Sequence, residues 1–345
     1  MELREIDKVT IPLVSIITPT FNHRLYIAEA ITSVIEQTFE DWELIIIDDG
    51  SFDNTPEIVK KFQNPKIHFY QQEHKGIYRL SEIYNFALDL AKGELIAILE
   101  GDDKWPQNKL EKQAYLFHED PEIIFSWGQG EIIDSQGRKI TRMATVQSAD
   151  LRVDFSDRET LQILYRFNFL TPTSTVMVRK SALKNIGGFH QPPGTVFLDY
   201  PTWLILAAHS KGKFTFLNTL LGYWRTSQTQ VTVSRAKEMY ISHDKVFVYF
   251  YQHLQDLQSQ QASYDSDLEA NFQFYKARVF LDEKNWPKAR VNFLKCLSNK
   301  GLKNRQKIFS AIGLLSSFLK IDLISFARWI KRNSPFAFSH ERIKR

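Results

Sequence analysis

The chain has 345 residues, 43% hydrophobic and 24% charged, enough to bury a sizeable core and form two units with the composition of a soluble protein. Its single cysteine, Cys296, excludes an intrachain disulfide framework and fits a reducing compartment. The net charge of +4 hides an asymmetry: from Lys300 onward eleven Lys or Arg stand against Asp322 and Glu341, about +9, which leaves about −5 for the preceding body.

The N-terminus, MELREIDKVTIPLV, carries Glu2, Glu5 and Asp7 and lacks the apolar core of a secretory signal. No stretch offers about 18 uninterrupted apolar residues, so no membrane span is expected. Val14 to Asn22, VSIITPTFN, reads as a buried strand closed by a loop, and Ile27, Ile31, Val34 and Ile35 fall at helical spacing. A second apolar run, Glu43 to Ser51, ends in Asp48 and Asp49, with Gly50 permitting a tight turn. Asn54 or Thr55 can cap a helix carrying Ile58, Val59 and Phe62. A short strand at Ile67 to Tyr70, the polar loop Gln71 to Gly76 and a helix marked by Leu80, Ile83, Tyr84, Ala87 and Ala91 follow.

Gly93 then opens GELIAILEGDDKWP, an apolar run that stops abruptly at Glu100, Gly101, Asp102 and Asp103. This alternation predicts a largely parallel sheet with right-handed crossovers. Polar residues at three strand ends, Thr20, Asp48 with Asp49, and Asp102 with Asp103, would then converge at one sheet edge, where open α/β sheets bind ligands. Carboxylates so closely packed repel one another, and a divalent cation beside a phosphate is the usual means of keeping them ionised.

PTFN, then IIIDDGS, then Asn85 before AKGE, then the acidic cluster, together resemble the nucleotide-sugar domain of glycosyltransferase family 2, from about Val14 to Val233. The resemblance implies the GT-A fold, an α/β architecture with a mixed, mostly parallel sheet flanked by helices, over residues 1–234. Residues 235–345 are expected to form an α-helical region with a basic amphipathic tail. Carried over by position, Thr20 and Phe21 would lie at the nucleotide base, and Asp49, with Asp48 beside it, at the uracil-like edge or ribose. Asp102 and Asp103 match the motif that holds Mn²⁺ or Mg²⁺ against the diphosphate, the choice between them as direct ligand being open; Glu100 stands where the family usually has Asp. A UDP-sugar is the favoured donor, and a glycan, a lipid-linked glycan or a protein the acceptor.

Trp105 and Pro106 are expected to open a helix through Leu110, Ala114 and Phe117, and Ile123 to Trp127 a further strand. DSQG, Asp134 to Gly137, suits a hairpin turn. Arg138 to Phe155 shows no period and reads as a loop over the site or an acceptor-facing insertion. Thr173 to Val178 alternates as a strand, and a helix from Ser181 stops at Gly187 and Gly188. Beyond it, the resemblance places the catalytic base at Asp199, with Leu198 where Glu is common; an N-cap role for the helix Tyr200 to Ser210 is compatible with it. Direct displacement by an acceptor hydroxyl inverts the anomeric centre and needs such a base, typically worth about 10²- to 10⁴-fold. Arg225 matches a family arginine near the diphosphate, and Ser227 stands where His is frequent. Lys75 and Arg79, in the loop before the Asn85 helix, are further candidates for diphosphate or sugar contact. His23, His68, His74 and His190 lack metal-ligand spacing.

The C-terminal third is read as helical, with stripes at His243, Val246, Phe247, Phe250 and Tyr251 and at Phe272, Tyr275, Val279 and Leu281, then Ala289, Phe293 and Leu297. Apolar residues from Ile308 to Ile330 recur at helical spacing among Lys and Arg, giving either a packing pair or a membrane-facing surface of a cytoplasmic protein held peripherally at the inner face of the membrane. No nucleic-acid partner is expected, because no recognised motif accompanies the charge. A nucleotidyltransferase would require a Gly-rich phosphate loop with a basic residue, which PTFNHR does not supply. A catalytically silent binding or scaffold protein would keep the fold; Asp102, Asp103 and Asp199 argue against it, while Glu100, Leu198 and Ser227 leave it open.

Overall fold

The apolar runs pair side by side in the way their alternation with helices implies. The computed structural model describes residues 13–226, 236–256, 268–298, 304–321, 323 and 343–344. β1 (Val14–Thr20), β2 (Trp42–Asp48), β3 (Ile67–Gln71) and β4 (Leu95–Ile98) are parallel, in the order β3-β2-β1-β4. β1, β2 and β4 are buried along nearly their whole length, which is why they are apolar at successive positions instead of alternating. The connections carry α1 (Ile27–Ile35), α2 (Thr55–Val59), α3 (Leu80–Leu90) and α4 (Lys109–Glu119). Val14, Ile16, Leu44, Ile46 and Ala97 pack on one side with Ile27, Ile31 and Val34 of α1 and Leu110 and Phe117 of α4. Fully burying each of the larger side chains is worth about 1.5–3 kcal/mol, so this cluster fixes the register that brings the strand ends level.

The sheet then turns mixed. β5 (Ile123–Ile133), β6 (Lys139–Met143), β7 (Val146–Gln147), β8 (Arg152–Ser156), β9 (Met177–Arg179) and β10 (Lys213–Arg225) complete the strands before the helical region. Nine strands join in the order β3-β2-β1-β4-β9-β5-β10-β8, with β6 on β5. β9 is antiparallel to both neighbours, whereas β10 is parallel to β5. A pair of residues, β11 (Ile343–Lys344), lies parallel to β7.

Several expectations are corrected here. β5 continues six residues past Trp127, and Asp134 to Gly137 then makes the predicted hairpin turn into β6. The stretch from Arg138 to Phe155 holds β6 and β8; β6 is almost wholly exposed, so no apolar alternation marks it. Thr173–Thr175 is a 3-10 turn, leaving only Met177–Arg179 as strand. Trp105 and Pro106 precede α4 instead of opening it; Trp105 is buried, and its indole N–H donates to the Ser174 carbonyl at 2.7 Å.

α5 (Asp157–Leu164) begins with a capping box between Ser156 and Glu159, and α6 (Lys180–Asn185) ends at Gly187 and Gly188, both at positive φ. α7 (Asp199–His209) follows. Its Thr202 hydroxyl accepts from the His190 N–H at 2.9 Å, closing the base of the intervening loop.

The described residues fall into two compact units, 13–190 with 202–226 and 343–344, and 191–201 with the C-terminal helices. Those helices are α8 (Ala236–Asp256), α9 (Leu268–Asp282), α10 (Trp286–Ser298) and α11 (Asn304–Leu319). The predicted stripes are buried at Val246, Phe247, Phe250, Tyr251, Phe272 and Leu281. Phe293 lies against Gly313, where a Cβ would come within 2.3 Å of its ring, so α11 approaches α10 only because that residue is glycine. Arg278 pairs with the buried Asp244 at 2.6 Å. Among the described residues no helix is long and apolar enough to cross a membrane.

Candidate active site

Parallel pairing of β1 with β2 and β4 puts Thr20, Asp48 and the turn Glu100–Asp103 at one edge, as the strand ends predict. The chain there is closely packed. Thr20, 3% exposed, places its hydroxyl 3.2 Å from His23 Nδ1, and both groups crowd Gly101: a Cβ on that glycine would sit 2.7 Å from each. The acidic turn therefore requires glycine between Glu100 and Asp102.

The first acidic pair is turned inward. Asp48 accepts from the Ser51 N–H at 3.1 Å and from the Ser51 hydroxyl, and burial raises its carboxyl above the ordinary range despite these bonds. Asp49, 5% exposed, accepts from Gln72 Nε2 (2.9 Å), Lys75 N–H (2.8 Å) and Gly76 N–H (2.9 Å), with His74 Nδ1 3.0 Å from Oδ2. All of these partners come from the loop 72–76, so Asp49 acts as the anchor of that loop. Gly50, at φ +73°, lets His74 pass close: a Cβ would lie 2.7 Å from its backbone nitrogen. His74 in turn stacks on Phe21 at 4.2 Å between ring centres, and the exposed Phe52 meets Phe21 edge-on at 5.8 Å. The result is an aromatic face beside the end of β1.

In the second acidic pair the two residues have different environments. Asp103 is 1% exposed; its Oδ1 accepts from the Arg225 N–H at 2.8 Å, while its buried Oδ2 has no hydrogen-bond partner among the described residues. Burial, then the charges of Asp102 and Glu100, push the Asp103 carboxyl well above the usual carboxylate range. Asp102 is half-buried, and its carboxylate has neither a hydrogen bond nor an ion pair among the described residues. Glu100 accepts from the Tyr84 hydroxyl at 3.2 Å.

Arg225 secures this turn. Matched by position to an arginine near the diphosphate, it is the last residue of β10 and only 2% exposed. Its guanidinium donates to the Asp102 carbonyl (2.7 Å), to the Asp134 carbonyl (3.2 Å) and to Glu29, and lies over the Tyr26 ring at 4.6 Å. Glu29 also pairs with Lys104. Burial opposes ionisation of Glu29, but the Lys104 hydrogen bond and the Arg225 charge prevail and hold it below its ordinary value. Lys104 and Tyr223 exchange backbone hydrogen bonds, so β10 grips the acidic turn at two points. Ser227 lies outside the described residues.

Lys75 joins these carboxylate contacts only through its backbone N–H on Asp49, and its side chain and that of Arg79 lead elsewhere. Lys75 reaches Glu82 at 3.2 Å, and Arg79 pairs with both oxygens of Glu82 at 2.6 and 2.7 Å. Asp199 opens α7, where an acidic residue in the first turn complements the helix dipole, and its segment packs with the second unit. Asn85 bonds both the N–H (2.7 Å) and the carbonyl (2.9 Å) of Phe189; a side chain on Gly188 would collide with it. A groove of about 870 Å³ lined by Glu29, Glu36, Lys104, Glu131, Lys139 and Tyr223 contains none of the predicted site residues.

Sequence reasoning missed Glu29 and His74. One is an ordinary first-turn acid on a helix, the other a loop histidine without ligand spacing; only tertiary contacts distinguish them. Among the described residues no group of three or more His, Cys, Asp or Glu could by itself hold a metal. Mg²⁺-type sites do not require one, since they use one or two carboxylates together with substrate phosphates and water. Asp102, unpartnered among the described residues and with Glu100 two residues away, fits that donor set.

Comparison with known proteins extends the picture. The sequence profile described as Glycosyl transferase family 2 matches residues 15–187, just over half of the chain. TuaG of Bacillus subtilis, a putative teichuronic acid biosynthesis glycosyltransferase, is 43% identical over 111 residues, 31% of this chain and 43% of TuaG, so the match spans less than half of that relative. WfgD of Escherichia coli, a UDP-Glc:α-D-GlcNAc-diphosphoundecaprenol β-1,3-glucosyltransferase, is 29% identical over 236 residues, 66% of this chain and 82% of WfgD. In three dimensions, residues 1–349 of S. aureus TarS, solved with UDP-GlcNAc, align with a TM-score of 0.62 at 17% identity, covering 92% of each chain. The mixed sheet and the helices on it are thus the expected GT-A fold. The chain belongs to glycosyl transferase family 2 and is a glycosyltransferase.

Proposed function

We propose that this protein transfers a sugar from a UDP-sugar to a hydroxyl of a lipid-linked glycan, by a single metal-dependent displacement that inverts the anomeric centre. The observation that carries the reading is the inequality within the acidic turn: Asp103 is buried and bonded to β10, while Asp102 is held through its backbone and its carboxylate has no partner among the described residues. Such an arrangement presents one fixed negative group at the sheet edge that no described residue neutralises. Relatives support the substrate class, since WfgD and WfaP are both named for UDP-Glc and a diphosphoundecaprenol acceptor.

Asp102, with Glu100, would hold Mn²⁺ or Mg²⁺. Bound there, the cation supplies positive charge to the diphosphate leaving group. The Phe21, Phe52 and His74 face offers stacking area to the base, and the loop 72–76, fixed by Asp49, forms its rim. Arg225 and Asp49 are positioning residues in this scheme: one sets the acidic turn, the other the loop. Lys75 and Arg79, already countered by Glu82, are the weaker phosphate contacts. Asp199 would accept the proton of the acceptor hydroxyl as the new bond forms.

The test is turnover of UDP-glucose and UDP-GlcNAc with a GlcNAc-diphospholipid acceptor, with and without Mn²⁺. Asp199→Asn is expected to lower kcat by about 10²- to 10⁴-fold while leaving donor binding intact. Unchanged turnover in that variant removes Asp199 as the base, and full activity in chelator removes the metal.

A further inference from the structure

The helical unit carries a charge pattern that glycosyl transfer does not use. From Lys284 to Ile321 the sequence contains nine Lys or Arg and no Asp or Glu. This span includes α10 and α11, which pack together through Phe293 and Gly313. Their outward sides are apolar: Val291, Leu294, Ile308, Leu315, Phe318 and Leu319 are each more than half exposed. On α11, Ile308, Leu315 and Phe318 follow at intervals of seven and three residues and so share one stripe. On α10, Val291 and Leu294 share another, with exposed Lys288 and Lys295 beside it. Arg290 bridges the helices, donating to the Ser317 carbonyl at 3.0 Å with its guanidinium 4.0 Å from the centre of the Phe318 ring.

We infer that the outer face of α10 and α11 binds the surface of an anionic lipid bilayer, lying in the interface and not crossing it. Charge complementarity selects this occupant. Two helices that expose apolar side chains beside lysines and contain no Asp or Glu of their own meet the two demands of an anionic interface: apolar area to bury beneath the headgroups and cations to meet them. A polyanion such as nucleic acid would use the lysines but gain nothing from Leu315 and Phe318. A second copy of the chain would set cation against cation. Long lysine stems can lie along the apolar area while their ammonium groups reach the headgroups.

Vesicle co-sedimentation of the full chain tests this independently of turnover, so failure here and failure of the proposed reaction are separable. Vesicles of equal parts phosphatidylglycerol and phosphatidylcholine should bind the protein, and phosphatidylcholine alone should bind it at least about tenfold more weakly. Lys288→Glu combined with Lys295→Glu should weaken binding to the anionic vesicles by about tenfold or more. Leu315→Gln combined with Phe318→Gln should weaken it comparably with the lysines intact. All four positions are exposed, and a circular-dichroism melt coinciding with that of the parent shows that the fold is kept. Three results overturn the inference: no binding to anionic vesicles, loss on changing the lysines but not the apolar pair, or a concentration-dependent dimer broken by Phe318→Gln without vesicle binding.

Discussion

The two acidic turns, 48–51 and 100–103, look alike in sequence: an apolar strand, a pair of aspartates and a glycine. Their carboxylates meet different fates. At the end of β2 both are used within the protein, Asp48 on Ser51 and Asp49 on the loop 72–76. At the end of β4 only Asp103 is bonded inward, while the Asp102 carboxylate has no partner among the described residues. The difference lies in what packs beside each turn. Loop 72–76 wraps Asp49 with backbone N–H groups, whereas Arg225 approaches the second turn from the side, taking the Asp103 side chain and only the carbonyl of Asp102. A carboxylate is thus made available by having its backbone held while its side chain is left alone.

Substitutions test this contrast, the most consequential being at Asp102. Asp102→Asn should lower kcat by about 10²- to 10³-fold, the range for losing one electrostatic contributor to the transition state, with a urea midpoint close to that of the parent. A large loss of stability would instead show that Asp102 is as structural as Asp103. Asp49→Ala is expected to do the reverse in kind. It leaves the Lys75 and Gly76 N–H groups without their acceptor and should cost about 1–3 kcal/mol in denaturant unfolding, with a raised donor KM following from a loosened rim.

A smaller effect is expected at Glu29, whose folded-state carboxyl titrates below the ordinary 4.5. A lowered acid stabilises the fold above its unfolded pKa, and that contribution fades as pH falls through the folded value. Glu29→Gln should therefore lose stability at pH 7, by about 1 kcal/mol or less because the side chain is 42% exposed and its pairs are screened. Parent and variant melts should converge as the pH is lowered below that ordinary value; a constant gap would mean that packing and not charge is responsible. Least affected should be Phe52→Ser, at a residue 85% exposed: stability within about 0.5 kcal/mol, with a change in donor KM marking its face as part of the nucleotide site.

Much of the architecture is legible in the amino-acid sequence because the physics is local. β1, β2 and β4 are buried along their length, so their sequences are continuous apolar runs, and the residues that end the runs must lie at one edge. Gly187 and Gly188 mark the end of α6 because an L-side chain is strained at their positive φ. Legibility fails where burial gives no period. β6 at Lys139–Met143 is exposed on a sheet margin and carries no alternation, and β5 runs on past Trp127 through Gly128 and Gly130, which look like breaks in sequence. These glycines are instead close approaches: Cβ atoms there would meet Leu221 at 2.6 Å and Pro172 at 2.5 Å.

Hydrophobic pattern and connection length alone settle which residues can reach the site, since strand ends and their parallel order follow from them. What each residue does there comes from tertiary contacts. Arg225 lies more than 120 residues from Asp103, and His74 more than 50 from Phe21, so neither partnership leaves a periodic trace in the chain. Whether a carboxylate holds the fold together or is left to meet a ligand depends on which backbone donors crowd around it, and those donors come from loops brought together only when the sheet closes.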